Sequence, residues 1–347
     1  MLGAGSRPAH GDSPPGKQPQ SRTRFYLIGD TPYSPAERKI LEQTLPNAGN
    51  EAQFIVHVGD IKSGLETCSN ELLMRRLHAL GKAPAPLILA LGDNEWTDCD
   101  RVLAGSFDPI ERLQWLRKTI YTRDHGYTLG RGSLRITNQT NNRLLESPVR
   151  PAQIETTGLP ENLHWTAGAV DFVSLNVAGS GGGLKGTIAP AMMAAHATAN
   201  RRWLNQAVVR ATEARRSVLV IILHAEFKAG KLNRRDFGAS PTDRKNVYGW
   251  LRSALYRAVC LFPGTVIVLH GDTHRFKHDQ PWQKLAGSDL PARLPDYGVP
   301  LEWRRQRMAR FTRIRSFGTP ATTAYVLISI ESVDGQTPTI SVEPRFL

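Results

Sequence analysis

The chain has 347 residues, 40 % of them hydrophobic, and a formal net charge of +13. That length accommodates one large domain or two ordinary ones, with a sizeable core. No apolar run approaches the ~18 residues of a membrane-spanning helix, and the three cysteines, Cys68, Cys99 and Cys260, lack the spacing of a zinc site.

Residues 1–23 are rich in Gly, Pro, Ser and Gln and read as a disordered tail. They hold no apolar stretch of signal-peptide length, so the sequence as it stands predicts no export. Residues 24–347 read as a single domain. Strand Phe25–Ile28 is followed by a helix from about Pro35 to Leu45. Strand Phe54–Val58 leads to Asn70–Leu80, whose Leu72, Leu73, Leu77 and Leu80 share one helical face. Strand Leu87–Leu91 leads to a helix around Asp108–Thr119. Alternating strand and helix implies right-handed crossovers and a parallel sheet. The polar stretch from about 121 to 163 reads as an insertion or cap. A strand in "AVDFVSLNVAGSGGG" then runs into a glycine loop. Helix Ala195–Arg215, strand "SVLVIILHAEF", helix Asn246–Val259 and strand "GTVIVLHGDTH" follow. The close is strand-only, over Phe311–Phe317, Tyr325–Glu331 and Thr339–Val342. This pattern predicts an α/β fold of two packed sheets with helices outside.

Four strands end in Gly-Asp: Gly29-Asp30, Gly59-Asp60, Gly92-Asp93 and Gly271-Asp272. His224 and His274 sit at strand ends as well. Ligands of parallel α/β sheets gather at the carboxyl ends of the strands. If these strands are neighbours, four carboxylates and two imidazoles converge, and so many carboxylates stay ionised together only beside cations. A pair of divalent ions resolves that repulsion and can activate a water against a phosphoryl group.

In this order, "GDTPY", "HVGDIKSG", "LGDNEW", "VIILHAEF" and "HGDTH" resemble the motifs of the calcineurin-like metallophosphoesterase superfamily, and distantly those of purple acid phosphatases. Those motifs run D-x-H, GD, GNH[DE], a His after a hydrophobic strand, and GHxH. The resemblance covers about Phe25 to Val342. It implies a four-layer α/β/β/α sandwich of two mixed sheets with outer helices. It also implies hydrolysis of a phosphate mono- or diester by a metal-bound hydroxide at a dinuclear site. Carried over residue by residue, Asp60 bridges both metals, Asp30 and His274 bind the first, and Asp93, His224 and Asp272 bind the second. This chain departs from the pattern at Pro32, which cannot coordinate, at Asp93 and Asp272, and at Asn94, where the family has the His thought to assist the leaving group. Tyr33 is either a substitute ligand for the first metal or a packing residue of the turn. A shifted register would make Asn94 the ligand in place of Asp93. The oxygen-rich set favours Mn²⁺, Mg²⁺ or iron over Zn²⁺.

Lys185, in "GSGGGLKG", and Arg275 are candidate contacts for the substrate phosphate. Arg304, Arg305, Arg307, Arg310, Arg313 and Arg315 fall in one stretch without an acid. They form either a solvated face or strand edge, or a contact for nucleic acid or another polyanion. No zinc-finger, RRM or KH pattern accompanies them. With the departures at Pro32 and Asn94, the alternative to an enzyme is a non-catalytic polyanion- or nucleic-acid-binding protein on a degenerate form of the same fold. Cys68 and Cys99 follow Gly-Asp strand ends by eight and six residues. Their loops can meet, so the pair is either a disulfide or two reduced thiols. A disulfide would point to a periplasmic or secreted chain.

Overall fold

The computed structural model of the protein describes residues 20–45, 51–122, 126–140, 150–181, 186–320, 324–333 and 335–346. In chain order come β1 (Gln20–Ile28), α1 (Pro35–Thr44), β2 (Phe54–His57), α2 (Asn70–Leu80), β3 (Leu87–Leu89) and α3 (Pro109–Ile120). β4 (Thr137–Asn138), α4 (Pro151–Thr157), β5 (Leu163–Ala167) and β6 (Val170–Ser174) follow. Next are α5 (Pro190–Glu213), β7 (Val218–Ile222), α6 (Gly249–Leu261), β8 (Thr265–His270) and β9 (Lys277–Asp279). Two single turns, α7 (Gln283–Ala286) and α8 (Leu290–Arg293), precede α9 (Leu301–Arg310), β10 (Thr312–Arg315), β11 (Ala324–Val333) and β12 (Thr339–Phe346).

Local chemistry sets the helix starts. Ser34, Ser69 and Asp108 accept hydrogen bonds from first-turn amides of α1, α2 and α3, and Pro35 and Pro109 occupy the first helical position. Such side chains satisfy amides that a helix leaves unpaired, and Pro has no amide to waste there.

The strands form two mixed sheets. The first runs β12-β11-β1-β2-β3 and the second β4-β5-β6-β7-β8-β10-β9. β1, β2 and β3 are parallel, as are β6, β7, β8 and β10. Alternation along the strands sorts side chains between layers. Val218, Val220 and Ile222 of β7, with Ile267 and Leu269 of β8, join the cluster that contains Phe25 and Phe54 of the first sheet. Leu219, Ile221, Val266 and Val268 instead pack with Leu204, Leu251, Leu255 and Met308 of α5, α6 and α9. Edge-to-face contacts of Phe172 with Phe25 and Phe54, at 5.4 and 5.2 Å, lock the sheets together. Leu41, Leu73, Leu77, Leu113 and Leu116 of α1, α2 and α3 cover the first sheet. The architecture is thus the four-layer sandwich that the sequence predicts. Each of these buried aliphatic side chains contributes about 1.5–3 kcal/mol. Among the described residues no helix is long and apolar enough to cross a membrane.

The structure corrects several boundaries. β1 begins at Gln20, not near residue 24, because Gln20–Thr23 pair antiparallel with Ile330–Val333. The described part of the polar 121–163 stretch contributes β4 and α4 to the fold. β4 pairs with β5 at the sheet edge, and α4 lies against α5. The closing region is not strand-only, since α9 occupies 301–310. Cys68 and Cys99 form a disulfide with Cα atoms 5.7 Å apart, inside the reach of the bond.

The arginine-rich stretch is not one exposed face. Arg304 is buried and donates to Val299 O, Pro291 O and the Tyr256 hydroxyl. Arg313 is buried and makes a two-pronged pair with Asp279. Arg315 pairs with Glu226, and Arg307 donates to Cys260 O. The side chains of Arg304 and Arg313 are therefore turned into the fold. In a protein interior a guanidinium needs acceptors, and these side chains have found theirs within the fold.

Candidate metal centre

Five parallel strands deliver the cluster. Asp30 follows β1, Asp60 follows β2, Asp93 follows β3, His224 follows β7 and Asp272 follows β8. The backbone there is unusual. Asp30, Asp60, Asp272 and His274 all have left-handed φ, at 52°, 60°, 76° and 60°. A side chain in that region costs on the order of 1–3 kcal/mol, and such strain collects where a site dictates geometry. The recurring glycine also has a spatial cause. A Cβ on Gly92 would lie 2.1 Å from Asp60 Oδ1, and one on Gly271 would lie 2.5 Å from Asp30 Oδ2. Gly92 and Gly271 are thus the gaps through which another strand's carboxylate passes.

The ligand atoms of Asp30, Asp60 and His224 lie within 4.8 Å of one another, and so do those of Asp93, His224 and Asp272. His224 is fully buried. Its Nδ1 lies 2.6 Å from Val58 O, which fixes that nitrogen as the donor. Its Nε2 then points, with no hydrogen-bond partner among the described residues, at Asp93 Oδ1 (3.0 Å) and Asp60 Oδ1 (3.5 Å). Asp93 Oδ1 is equally unpartnered by hydrogen bonds. Orphaned buried atoms call for an explanation, and a cation between them supplies one.

The carboxylates are otherwise well held. Asp60 accepts from the Asn94 amide N–H (3.0 Å), the Asn94 side chain (2.7 Å) and the Tyr33 hydroxyl (2.8 Å). Asp30 accepts from the Asp272 N–H at 2.9 Å. Asp272 accepts from the Glu226 N–H at 2.8 Å, and Glu226 is tied back to Arg313 and Arg315. Glu95 accepts from the backbone of Ile61 and Gly92, linking the loops after β2 and β3.

Without a cation the cluster gathers protons. Burial pushes Asp30 well above the ordinary carboxylate range and also raises Asp272. Burial disfavours a charged His224, but the negative field of Asp60 outweighs it and raises that pKa. Desolvation works on Asp93 too, but the neighbouring charge of His224 outweighs it and holds that carboxyl below the ordinary range. Burial, with help from Asp60, brings Glu95 to about 7. The set fits a metal: buried, oxygen-rich, with an imidazole nitrogen free to coordinate.

Of the predicted residues, Asp30, Asp60, Asp93, His224 and Asp272 come together. His274 lies at the rim, its Nε2 3.6 Å from Asp30 Oδ1 and 3.5 Å from the Tyr33 hydroxyl. Tyr33 and Asn94 touch Asp60 directly. The geometry sets Asp93 beside His224, whereas the Asn94 amide is spent on Asp60, Tyr33 and Lys62 O. Pro32 follows a cis peptide bond. Arg275 is exposed, and its carbonyl accepts from Arg315. Lys185 lies outside the described residues. Sequence reasoning passed over Ser180, whose hydroxyl donates to Asp93 at 2.6 Å. It sits in the quoted glycine loop, where a lone Ser gives no signal. It also passed over Asp98, which burial and Asp93 raise to about 7.

No protein-family model matches the chain, and no curated protein matches it. Solved structures with a similar fold include a purple acid phosphatase from yellow lupin (Lupinus luteus), at 11 % identity and TM-score 0.45 over 96 % of this chain and 52 % of that one. A 5'-nucleotidase from Candida albicans matches at 11 % identity and TM-score 0.44, over 94 % of this chain and 52 % of that one. The Haemophilus influenzae NAD nucleotidase matches at 10 % identity and TM-score 0.41, over 95 % and 57 %. The chain thus spans about half the length of these proteins.

Proposed function

We propose that the protein hydrolyses a phosphate ester, mono- or diester, with two divalent ions held by the strand-end cluster. The observation that carries this reading is His224 Nε2, buried and unpartnered between the carboxylates of Asp60 and Asp93. One Nε2 serves one ion. His224, Asp93 and Asp272 would hold that ion, Asp30 and His274 the other, and Asp60 would reach both, with Tyr33 at its side. When bound, the ions neutralise the phosphate and supply an activated water. The chain's own groups orient the rest. Asn94 and Tyr33 fix the Asp60 carboxylate, and the Val58 carbonyl fixes the tautomer of His224.

The experiment is metal analysis of purified protein, beside turnover of nitrophenyl phosphate and bis(nitrophenyl) phosphate with added Mn²⁺ or with chelator. Metal near two per chain and Mn²⁺-dependent turnover are expected. His224→Ala is expected to lose at least one ion and about 10³-fold or more of the rate, as removal of a principal transition-state contact does. Turnover that survives both the chelator and His224→Ala would sink the proposal.

A further inference from the structure

Between β7 and α6 the chain takes a long excursion, residues 223–248, through two short 3₁₀ turns, Ala229–Lys231 and Arg234–Asp236. A connection of this length in a compact fold usually has a task. This one walls a cleft of about 1340 Å³ whose inner end is Asp272 and Ser180. That is larger than the roughly 300–1,000 Å³ of an ordinary small-molecule pocket. Lys228, Lys231, Arg235, Arg244 and Lys245 line it, and all five are exposed. None of the five side chains has an ion-pair partner among the described residues. Of the acids lining the cleft, Glu226 is neutralised by Arg313 and Arg315, Asp272 belongs to the metal cluster, and only Asp243 is left on the wall.

The wall is braced from beneath. Buried Arg252 grips Asp236 with two bonds of 2.8 and 2.9 Å and donates to Phe227 O. Asn246 donates to Asp236 at 3.0 Å, and the Trp282 indole donates to Ala229 O at 2.8 Å. The five cations are thus displayed on a fixed scaffold, at the mouth of a phosphate-hydrolysing cluster. The cleft's one aromatic, Tyr248, is buried with its hydroxyl on Ala178 O. Among the described lining residues a nucleobase finds no exposed ring of the kind on which single strands stack.

We propose that this cleft binds a run of consecutive phosphate groups, the part of a substrate that extends beyond the phosphate attacked at the cluster. Its place in catalysis rests on the phosphoesterase reading, whereas its capacity to bind does not. The test is calorimetric titration of the full chain with tripolyphosphate, supplied as its magnesium complex in excess Mg²⁺ so that it extracts no bound ion. Orthophosphate is the control, and nitrophenyl phosphate turnover is followed on the same preparation. Tripolyphosphate is expected to bind about a hundredfold more tightly than orthophosphate at low salt, and to weaken steeply with added salt. Lys231→Ala with Arg235→Ala, and separately Arg244→Ala with Lys245→Ala, each lower its affinity about tenfold. All four side chains are exposed, so each pair is replaced without touching the core. Equal affinity for the two anions, or unchanged affinity in both double variants, overturns the proposal. So does displacement of tripolyphosphate by an oligonucleotide or acidic peptide of higher affinity. Intact binding without nitrophenyl turnover would count against the phosphoesterase reading and leave the cleft's assignment in place.

Discussion

Asn94 occupies the position where similar motifs carry an imidazole, and its amide is already engaged with Asp60, Tyr33 and Lys62 O. An amide cannot protonate a departing oxygen, and general-acid help is typically worth ~10²–10⁴-fold. We therefore expect a nitrophenyl ester to outpace an alkyl phosphate by a wide margin, and Asn94→His to narrow it. Equal rates on both substrates in the unmodified protein, with chemistry rate-limiting, would refute this. A second expectation follows from the protons gathered in the cluster. Asp30 is raised in the folded chain above its ordinary 3.8 by burial, and His224 above its ordinary 6.5 by Asp60. These two groups take up protons when the metal-free chain folds, so their own contribution to stability falls as the pH rises from about 4. Divalent ions replace those protons. The rise in Tm on adding Mn²⁺ should thus grow between about pH 5 and 8. A metal-induced shift that shrinks over that range would contradict this assignment of charge.

At the scale of the element, the strand-end glycines are as constrained as the aspartates that follow them. Gly92→Ala would drive a methyl into Asp60 Oδ1. Overpacking of this kind costs about 1–3 kcal/mol, and here the yielding part is the carboxylate proposed to bridge the ions. Metal content should fall below one per chain while the far-ultraviolet spectrum stays unchanged. Two bound ions in Gly92→Ala would show that the loop can move aside. The elements that place the cluster were legible in the sequence because their signals are local. Asn70–Leu80 carries its leucines on one face behind a Ser cap. Val218–Ile222 and Thr265–His270 are apolar runs of strand length. What escaped depends on distant partners. Gln20–Thr23 is a strand because residues 330–333 lie beside it. α9 reads as a bare arginine run until Pro291 O, Cys260 O and Tyr256 appear as its acceptors. The basic wall at 228–245 is polar chain without periodicity, so its fixed course shows only in the bonds from Arg252, Asn246 and Trp282 beneath it.

Across the whole molecule, two internal ties carry stability. The Cys68–Cys99 disulfide joins the loops that follow Asp60 and Asp93, with a sequence separation of 31. Such a bridge is worth about 2–4 kcal/mol. Reductant should lower the Tm of the unmodified protein and leave a Cys68→Ser, Cys99→Ser variant unmoved. An identical Tm with and without reductant would show the tie to be idle. Arg117 and Glu161 form a fully buried two-pronged pair between α3 and the approach to β5. Removing one partner strands a charge, at about 3–5 kcal/mol. Arg117→Met should therefore be less stable to urea than Arg117→Met with Glu161→Leu.

The order β12-β11-β1-β2-β3 has a consequence in time as well as in space. β1 delivers Asp30, yet one of its two edges is completed by β11, with Phe25 opposite Ile328. During synthesis the strand that carries the first carboxylate would lack one neighbour until residues 324–333 emerge. A nascent chain arrested before Ala324 should therefore take up no Mn²⁺ at the cluster, however well its second sheet has formed. Metal acquisition would then await the emergence of Ala324–Val333 from the ribosome. An arrested chain that binds Mn²⁺ as the complete one does would show that β1 settles without its late neighbour.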